Sequence, residues 1–410
     1  MELKTRYQYT YFIHTFIIKE SKYTKYVLRL LKDSRFELRI FSKQKDLETY
    51  TYFLPKAREF LFKTFELEDK EKLQKLNDLP IETRAAILSE FPSLTFEYDL
   101  KNDMQGKTVD ENSIFFKIQK IGLVLFNTGI CFLYLKTNIE DSENFSDVLN
   151  FNYKFKDIKQ ENNNLKNYDN IKVQASSFEN IQAIQDLINE ITGPNTEAIK
   201  LDLDIEKFYT YSYLCIKQDA WNMNNSFDNI KNDFCKYVNI LSSDSSVNSV
   251  ISENTKIIKN SKYSKIGITK QGVSMFCSDC DINNYTIMPE TYQNQYFYTY
   301  ILALYLKVYL KKLNYEFKES HNVNLIREKF VGFTKNLWIQ EITSDNIGSI
   351  FFNDIKEALE IEKLYCEAKN KYNVLYSELK IDKNEKMSKF IIFILLATFI
   401  ISIVNCILYF

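Results

Sequence analysis

The chain has 410 residues, enough for one large domain or two ordinary ones. Its 53 basic and 54 acidic residues leave a net charge of -1, which argues against a nucleic-acid binder, whose electrostatic footprint is a basic excess. With only 8 glycines and 5 prolines, few loops can bring backbone close to a phosphate, and 7 scattered cysteines behind an N-terminus without a leader pattern suit a reducing compartment with free thiols.

Tyr7 to Ile18 is rich in aromatic and β-branched residues and reads as a strand. A helix carrying Tyr26, Leu28, Leu30 and Leu31 follows, and Phe36 to Phe41 alternates as a half-buried strand does. A hairpin is expected from Phe115 to Thr137, turning at Asn127-Thr128-Gly129. Ser176, with Glu179 three residues on, forms a capping box for a helix striped by Ile181, Ile184, Ile188 and Ile191 and ended by Gly193-Pro194. Lys120-Ile121-Gly122 with Gly129-Ile-Cys-Phe is similar to Lys265-Ile266-Gly267 with Gly272-Val-Ser-Met-Phe. Each pair follows an aromatic strand, so the sheet body is either duplicated or contains two alike hairpins by chance.

After Pro289 no proline occurs, and only Gly332 and Gly348 interrupt the chain. Three helices are expected there. The first, Tyr292 to Phe317, is apolar around most of its circumference and should be buried. The second carries Ile326, Phe330, Phe333 and Leu337. The third carries Ile361, Leu364, Ala368, Leu375 and Leu379 along one side. Continuous from Ile347 to Phe410, that third helix would be about 95 Å long. A stalk of that length needs partners, either the preceding helices or further copies of itself.

The final 21 residues, Phe390 to Phe410, include Leu395, Ile400 and Asn405 and carry no charge, which matches the roughly 20 apolar residues of a membrane-crossing helix. Lys380, Lys383, Lys386 and Lys389 precede them, and such flanks stay in the cytosol. The expectation is therefore a single-pass protein of the cell membrane with its bulk in the cytosol. Asn405 either pairs with its copy in an oligomer or meets water near the far interface.

Motifs for chemistry are weak. Met104-Gln-Gly-Lys-Thr108 ends like a phosphate loop but has Lys101 where the first glycine belongs. Cys277-Ser-Asp-Cys280 is half of a zinc site without a second pair, or two free thiols at a strand end. His14 and His321 are the only histidines, and neither has a nucleophile nearby in sequence. No catalytic or metal-binding residue is assigned.

The stretch QNQYFYTYILALYLKVYLKKLN, then Phe330-Val-Gly-Phe-Thr-Lys-Asn-Leu-Trp-Ile-Gln-Glu-Ile-Thr, then the long helix, resembles distant bacterial relatives in the CorA-like divalent-cation transporter superfamily. The resemblance covers roughly residues 293 to 410. The family's Gly-Met-Asn signature is missing, with Ile403-Val-Asn-Cys-Ile-Leu-Tyr-Phe in its place, and so is the second span. It implies a cytosolic α/β body, a helical stalk, a homo-oligomer and, through the family alone, a divalent cation.

The expected fold is thus an α+β (α/β) cytosolic domain with a mixed sheet, either duplicated or single, followed by a long stalk and one C-terminal transmembrane helix. The divisions are 1-200 and 201-288 as two α/β subdomains, 289-389 as stalk and 390-410 as span. The expected function is a cytosolic sensor coupled through the stalk to the membrane, as an oligomeric pore or membrane effector. The alternatives are a tail-anchored binding or scaffold protein, and an enzyme with an unrecognised site. Membrane lipid and further copies of the chain are the expected partners, the cytosolic ligand or protein partner is left open, and no nucleic acid is expected.

Overall fold

The computed structural model describes residues 3–100, 104–108, 114–139, 142–158, 171–174, 182–193, 196–201, 203–204, 206–247, 255–319 and 323–408. The chain divides into two compact units, Met1–Tyr309 with Ile339–Ile361, and Leu310–Trp338 with Glu362–Phe410.

The first unit is built on a twelve-stranded sheet. Its strands are β1 (Thr5–Ile17), β2 (Phe36–Leu38), β3 (Ser93–Tyr98), β4 (Met104–Thr108), β5 (Phe115–Phe126) and β6 (Ile130–Asn138), then β7 (Ile171–Gln174), β8 (Gln182–Ala183), β9 (Tyr209–Ile216), β10 (Lys256–Ser261), β11 (Ser264–Ile268) and β12 (Gly272–Ser278). The order is β10-β11-β12-β9-β1-β6-β5-β4-β7-β8, with β3 on the other half of β5 and β2 beyond it. Among the described residues only β12 and β9 run parallel, so the sheet is mixed. The two similar hairpins occupy matching places beside β1 and β9, but β6 is antiparallel to β1 whereas β12 is parallel to β9. They share spatial order and differ in sense.

The helices are α1 (Tyr23–Lys32), α2 (Leu47–Tyr52), α3 (Pro55–Leu61), α4 (Lys70–Asn77), α5 (Ile81–Ser89), α6 (Phe145–Phe155), α7 (Ile184–Thr192), α8 (Thr196–Lys200), α9 (Lys231–Val238), α10 (Asn283–Thr286), α11 (Met288–Thr291), α12 (Phe297–Glu319), α13 (Val323–Gly332), α14 (Asn346–Ala358) and α15 (Ile361–Leu408). Strand alternation sends Phe12 and Phe16 of β1 to one face, where Phe155 stacks on Phe12 at 4.1 Å and Tyr26 of α1 lies against Phe16. It sends Tyr9 and Tyr11 to the other face, where Phe297 of α12 lies 4.8 Å from Tyr11. Helices therefore cover both faces.

The second face is a tyrosine layer, and the hydroxyls explain its geometry. Tyr9 donates to the Pro289 carbonyl (3.0 Å), Tyr211 to Tyr292 (2.5 Å) and Tyr213 to Asn284 (2.6 Å). These phenols take main-chain acceptors from the irregular approach to α12, where Tyr292–Tyr296 forms one π-helical turn. A π turn of this kind often marks a functional site.

Several expected features lie where sequence placed them. The hairpin turns at Gly129, whose φ of +81° is the left-handed region that favours glycine. Gly193, at φ +73°, ends α7, but the helix begins only at Ile184, because Gln182–Ala183 pairs with β7 as strand β8 where helix was expected. The Ser176–Glu179 box and Pro194 lie outside the described residues, as does His321. The third C-terminal helix is not continuous. It breaks between α14 and α15 at Glu360, which adopts φ +56°.

In the second unit, Trp338 stacks on Tyr365 at 4.3 Å, and Phe330 stacks on Tyr372 at 4.8 Å. Asn314 Nδ2 donates to the Leu364 carbonyl at 3.1 Å. Ile361, at the start of α15, and Ala368 are fully buried, Leu364 and Leu375 are half-buried, and the Leu379 side chain lies outside the described residues.

The membrane expectation is corrected. Among the described residues no helix is long and apolar enough to cross a membrane. A bilayer core requires roughly 20 consecutive apolar residues in one helix, and none of the described helices meets that requirement. Phe390 and Leu395 are exposed, as are Lys386 and Lys389. The side chains of Ile400, Asn405, Lys380 and Lys383, and all of Phe410, lie outside the described residues. The transmembrane helix, the reading as a membrane protein and the single-pass membrane localisation fall with it. The fold is α+β, a large mixed sheet with helices.

Candidate functional site

The site begins with a defect in β5. Apolar residues of this strand face the α1 and α6 side at Phe116 and Ile118, then at Ile121, Leu123 and Leu125. The switch from even to odd positions is a β-bulge between Ile118 and Lys120, where the register to β6 shifts. A bulge re-aims side chains. Here it turns Lys120 onto the tyrosine face and sets it opposite Lys136 of β6. Like charges directly opposite on a sheet are destabilising, so neighbours must offset the pair.

Those neighbours come from distant segments. Glu97 of β3 accepts from Lys120 at 2.8 Å and from Arg39 at 2.9 Å, and Arg39 also reaches Asp46 at 2.9 Å. Both forks of Arg39 are thus occupied by carboxylates. Lys136 has a different environment. Its Nζ donates to Gln293 Oε1 at 2.8 Å, on the π turn, and lies 4.8 Å over the Tyr9 ring. Tyr11 donates to the same Gln293 oxygen at 3.2 Å. Among the described residues no carboxylate pairs with Lys136.

Burial, and then the nearby Lys120 charge, push the Lys136 amine down to about 8. At Lys120 burial outweighs the Glu97 pairing and lowers the amine. Burial alone would raise the Glu97 carboxyl, but Lys120 and Arg39 together hold it below its usual range. The Glu97 carboxylate accepts from two cations, Lys120 and Arg39. Three cations then face two carboxylates. The island is half open, with Lys120 31% and Glu97 35% exposed.

Gly122 completes the site. Tyr134 lies flat across it, and a Cβ there would come within 2.2 Å of the ring. The close approach packs Tyr134 beside Phe297 at 5.2 Å.

Other candidates carry less. Met104–Thr108 is strand β4, not a loop. Cys277 is buried and donates toward the Tyr213 hydroxyl at 3.4 Å, Cys280 is partly exposed, and among the described residues no disulfide forms. Among the described residues no group of three or more His, Cys, Asp or Glu could hold a metal ion. His14 is buried against Phe208, and burial pushes its ring down to about 4. A cleft of about 780 Å³ beside Tyr50 is lined by Lys43, Arg58, Lys63 and Lys72 and by Glu59, Glu66, Glu68 and Asp69, whose charges cancel.

Sequence reasoning singled out none of Arg39, Asp46, Glu97, Lys120, Lys136 and Gln293 as site residues. No protein-family model matches the chain, and comparison with curated proteins and with solved structures finds no match.

Proposed function

We propose that the first unit is a recognition module for a small carboxylate ligand, received by Lys136 and Lys120. The observation that carries this reading is the pair of ammonium groups set side by side by the bulge, one of them without a carboxylate. Lys136 spends one of its three N–H donors on Gln293 and Lys120 one on Glu97, so both keep donors in hand. A carboxylate has two oxygens to accept them, and the excess of positive charge in the island favours an anion. Arg39 positions Glu97 and takes no direct part.

Calorimetric titration of oxalate into the full chain tests this. Saturable binding that weakens at least about tenfold in Lys136→Met supports it, since loss of one charge-assisted bond costs on the order of 1.5–3 kcal/mol. Binding unchanged in that variant removes it.

A second observation favours self-association as an accompanying property. Along α15, Val374, Tyr376, Met387 and Phe390 to Leu395 are large, apolar and exposed. At 48 residues this helix is about 72 Å long, and a second copy of it is the partner this account assigns. Sedimentation of the full chain against a chain ending at Lys371 measures it; a strict monomer in both refutes it.

A further inference from the structure

We propose that Lys136 is a carbonyl-reactive amine that forms an imine with a small oxo-carboxylate, its carboxylate held by Lys120. The inference rests on the carboxylate-site reading and adds a covalent step to it.

Three features of geometry converge. The Lys136 amine is fixed at 2.8 Å from Gln293 Oε1 and 4.8 Å over Tyr9, which holds the long side chain in one place. A second ammonium lies directly across the strand pair, in register. The Tyr11 hydroxyl bonds the same Gln293 oxygen and so stands beside the amine as a proton carrier. An amine next to another cation, with limited solvent and no carboxylate partner, is the arrangement that leaves a lysine neutral enough to attack a carbonyl. Burial and Lys120 act in that direction, holding the amine near 8.

The step balances without a further reactant. The Nζ lone pair attacks the carbonyl carbon, a C–N bond forms, and the C=O π pair moves to oxygen. Both amine protons pass to that oxygen, by way of Tyr11 or solvent, and it leaves as water while the C=N bond closes. One amine and one oxo acid become one imine and one water, and nothing is oxidised or reduced.

Lys307 supplies the internal comparison. Burial chiefly brings it to about 8 as well, but it lies 5.1 Å over Tyr209 with Glu360 among its neighbours, and the nearby Lys270 is itself paired with Glu360 at 3.2 Å. A low proton affinity alone would make the two lysines equally reactive.

The test uses the full chain at pH 8 with glyoxylate and cyanoborohydride, which reduces the imine to a stable secondary amine located by peptide mapping. The expected result is adduct at Lys136, formed on the order of tenfold faster than at Lys307 or at exposed lysines, which at this pH are about 0.3% neutral. Lys136→Arg should abolish that adduct. No adduct at Lys136, or equal adduct at Lys136 and Lys307, overturns the inference even if oxalate binds. Equal rates for glyoxylate and acetaldehyde overturn the carboxylate reading itself.

Discussion

Replacing Lys136 by methionine isolates the energetic signature of the site. The folded amine lies near 8 against 10.5 for an unperturbed lysine, so burial disfavours the charged form by up to about 3 kcal/mol. The sign follows from proton counting. Below pH 8 the folded and unfolded chains both hold the proton, and the penalty is full. Between pH 8 and 10.5 the unfolded chain holds a proton that the folded chain has released, so stability rises with pH. Integrated from pH 7 to 9.5, the rise from Lys136 is about 2 kcal/mol. Lys120, Glu97, Arg39, Tyr9 and Tyr11 are the charged or titratable groups placed around the amine, and Glu97 and Arg39 keep their charges across that range. Lys307 contributes a rise of the same sign. Above pH 10 the trend reverses, because burial raises Tyr9, Tyr134, Tyr211 and Tyr292 and the unfolded tyrosines ionise first. Urea unfolding followed by circular dichroism at pH 7 to 9.5 reads the slope. Lys136→Met should reduce the rise by about 2 kcal/mol while leaving the Lys307 part. At pH 7 the variant should be close to wild type, because relief of the buried charge offsets the lost Gln293 bond and Tyr9 contact. An unchanged slope would refute the reasoning.

The remaining predictions address the scaffold. Gly122→Ala forces a methyl group into the Tyr134 ring and should cost about 1–3 kcal/mol in urea unfolding; a neutral result would mean that Tyr134 has room to move. Tyr213→Phe leaves the Asn284 carbonyl without its phenol and should cost about 1–2 kcal/mol, read as a lower melting temperature. Glu360→Gly relieves a left-handed backbone but gives up an exposed bond to Lys270 and the attraction to Lys307, so stability should rise by at most about 1 kcal/mol; a loss would assign those charge contacts more weight than exposed pairs carry.

Local chemistry made much of the fold legible. Aromatic and β-branched density marks β1, the glycine of Asn127-Thr128-Gly129 marks the hairpin, and the apolar stripe ending at Gly193 marks α7. Tertiary partners decided the rest. Nothing in Tyr209–Ile216 or Gly272–Ser278 announces that these strands run parallel, because parallel pairing depends on the long connection between them. The break at Glu360 is held by a non-glycine residue in a conformation glycine prefers, so no residue type signals it. The apolar composition of Phe390 to Phe410 suggests a span that the described helices do not provide. The site was hidden for a different reason: its polar groups come from the segment after β2, from β3, β5 and β6, and from the turn before α12, far apart in sequence. One signal was present. In FFKIQKIGLVLF the apolar positions change parity after Ile118, which is how a bulge appears in sequence, and Lys120 follows it directly.

The central claim is that Lys136 is a depressed, carboxylate-receiving amine. The most direct measurement is an NMR titration of the lysine side-chain resonances of the full chain, with Lys136 assigned by its loss in Lys136→Arg, with and without saturating oxalate. The account predicts a Lys136 midpoint near 8 that moves up by about one unit or more when oxalate binds, because a bound anion favours the charged amine. A midpoint near that of exposed lysines, or one that oxalate leaves in place, would contradict it.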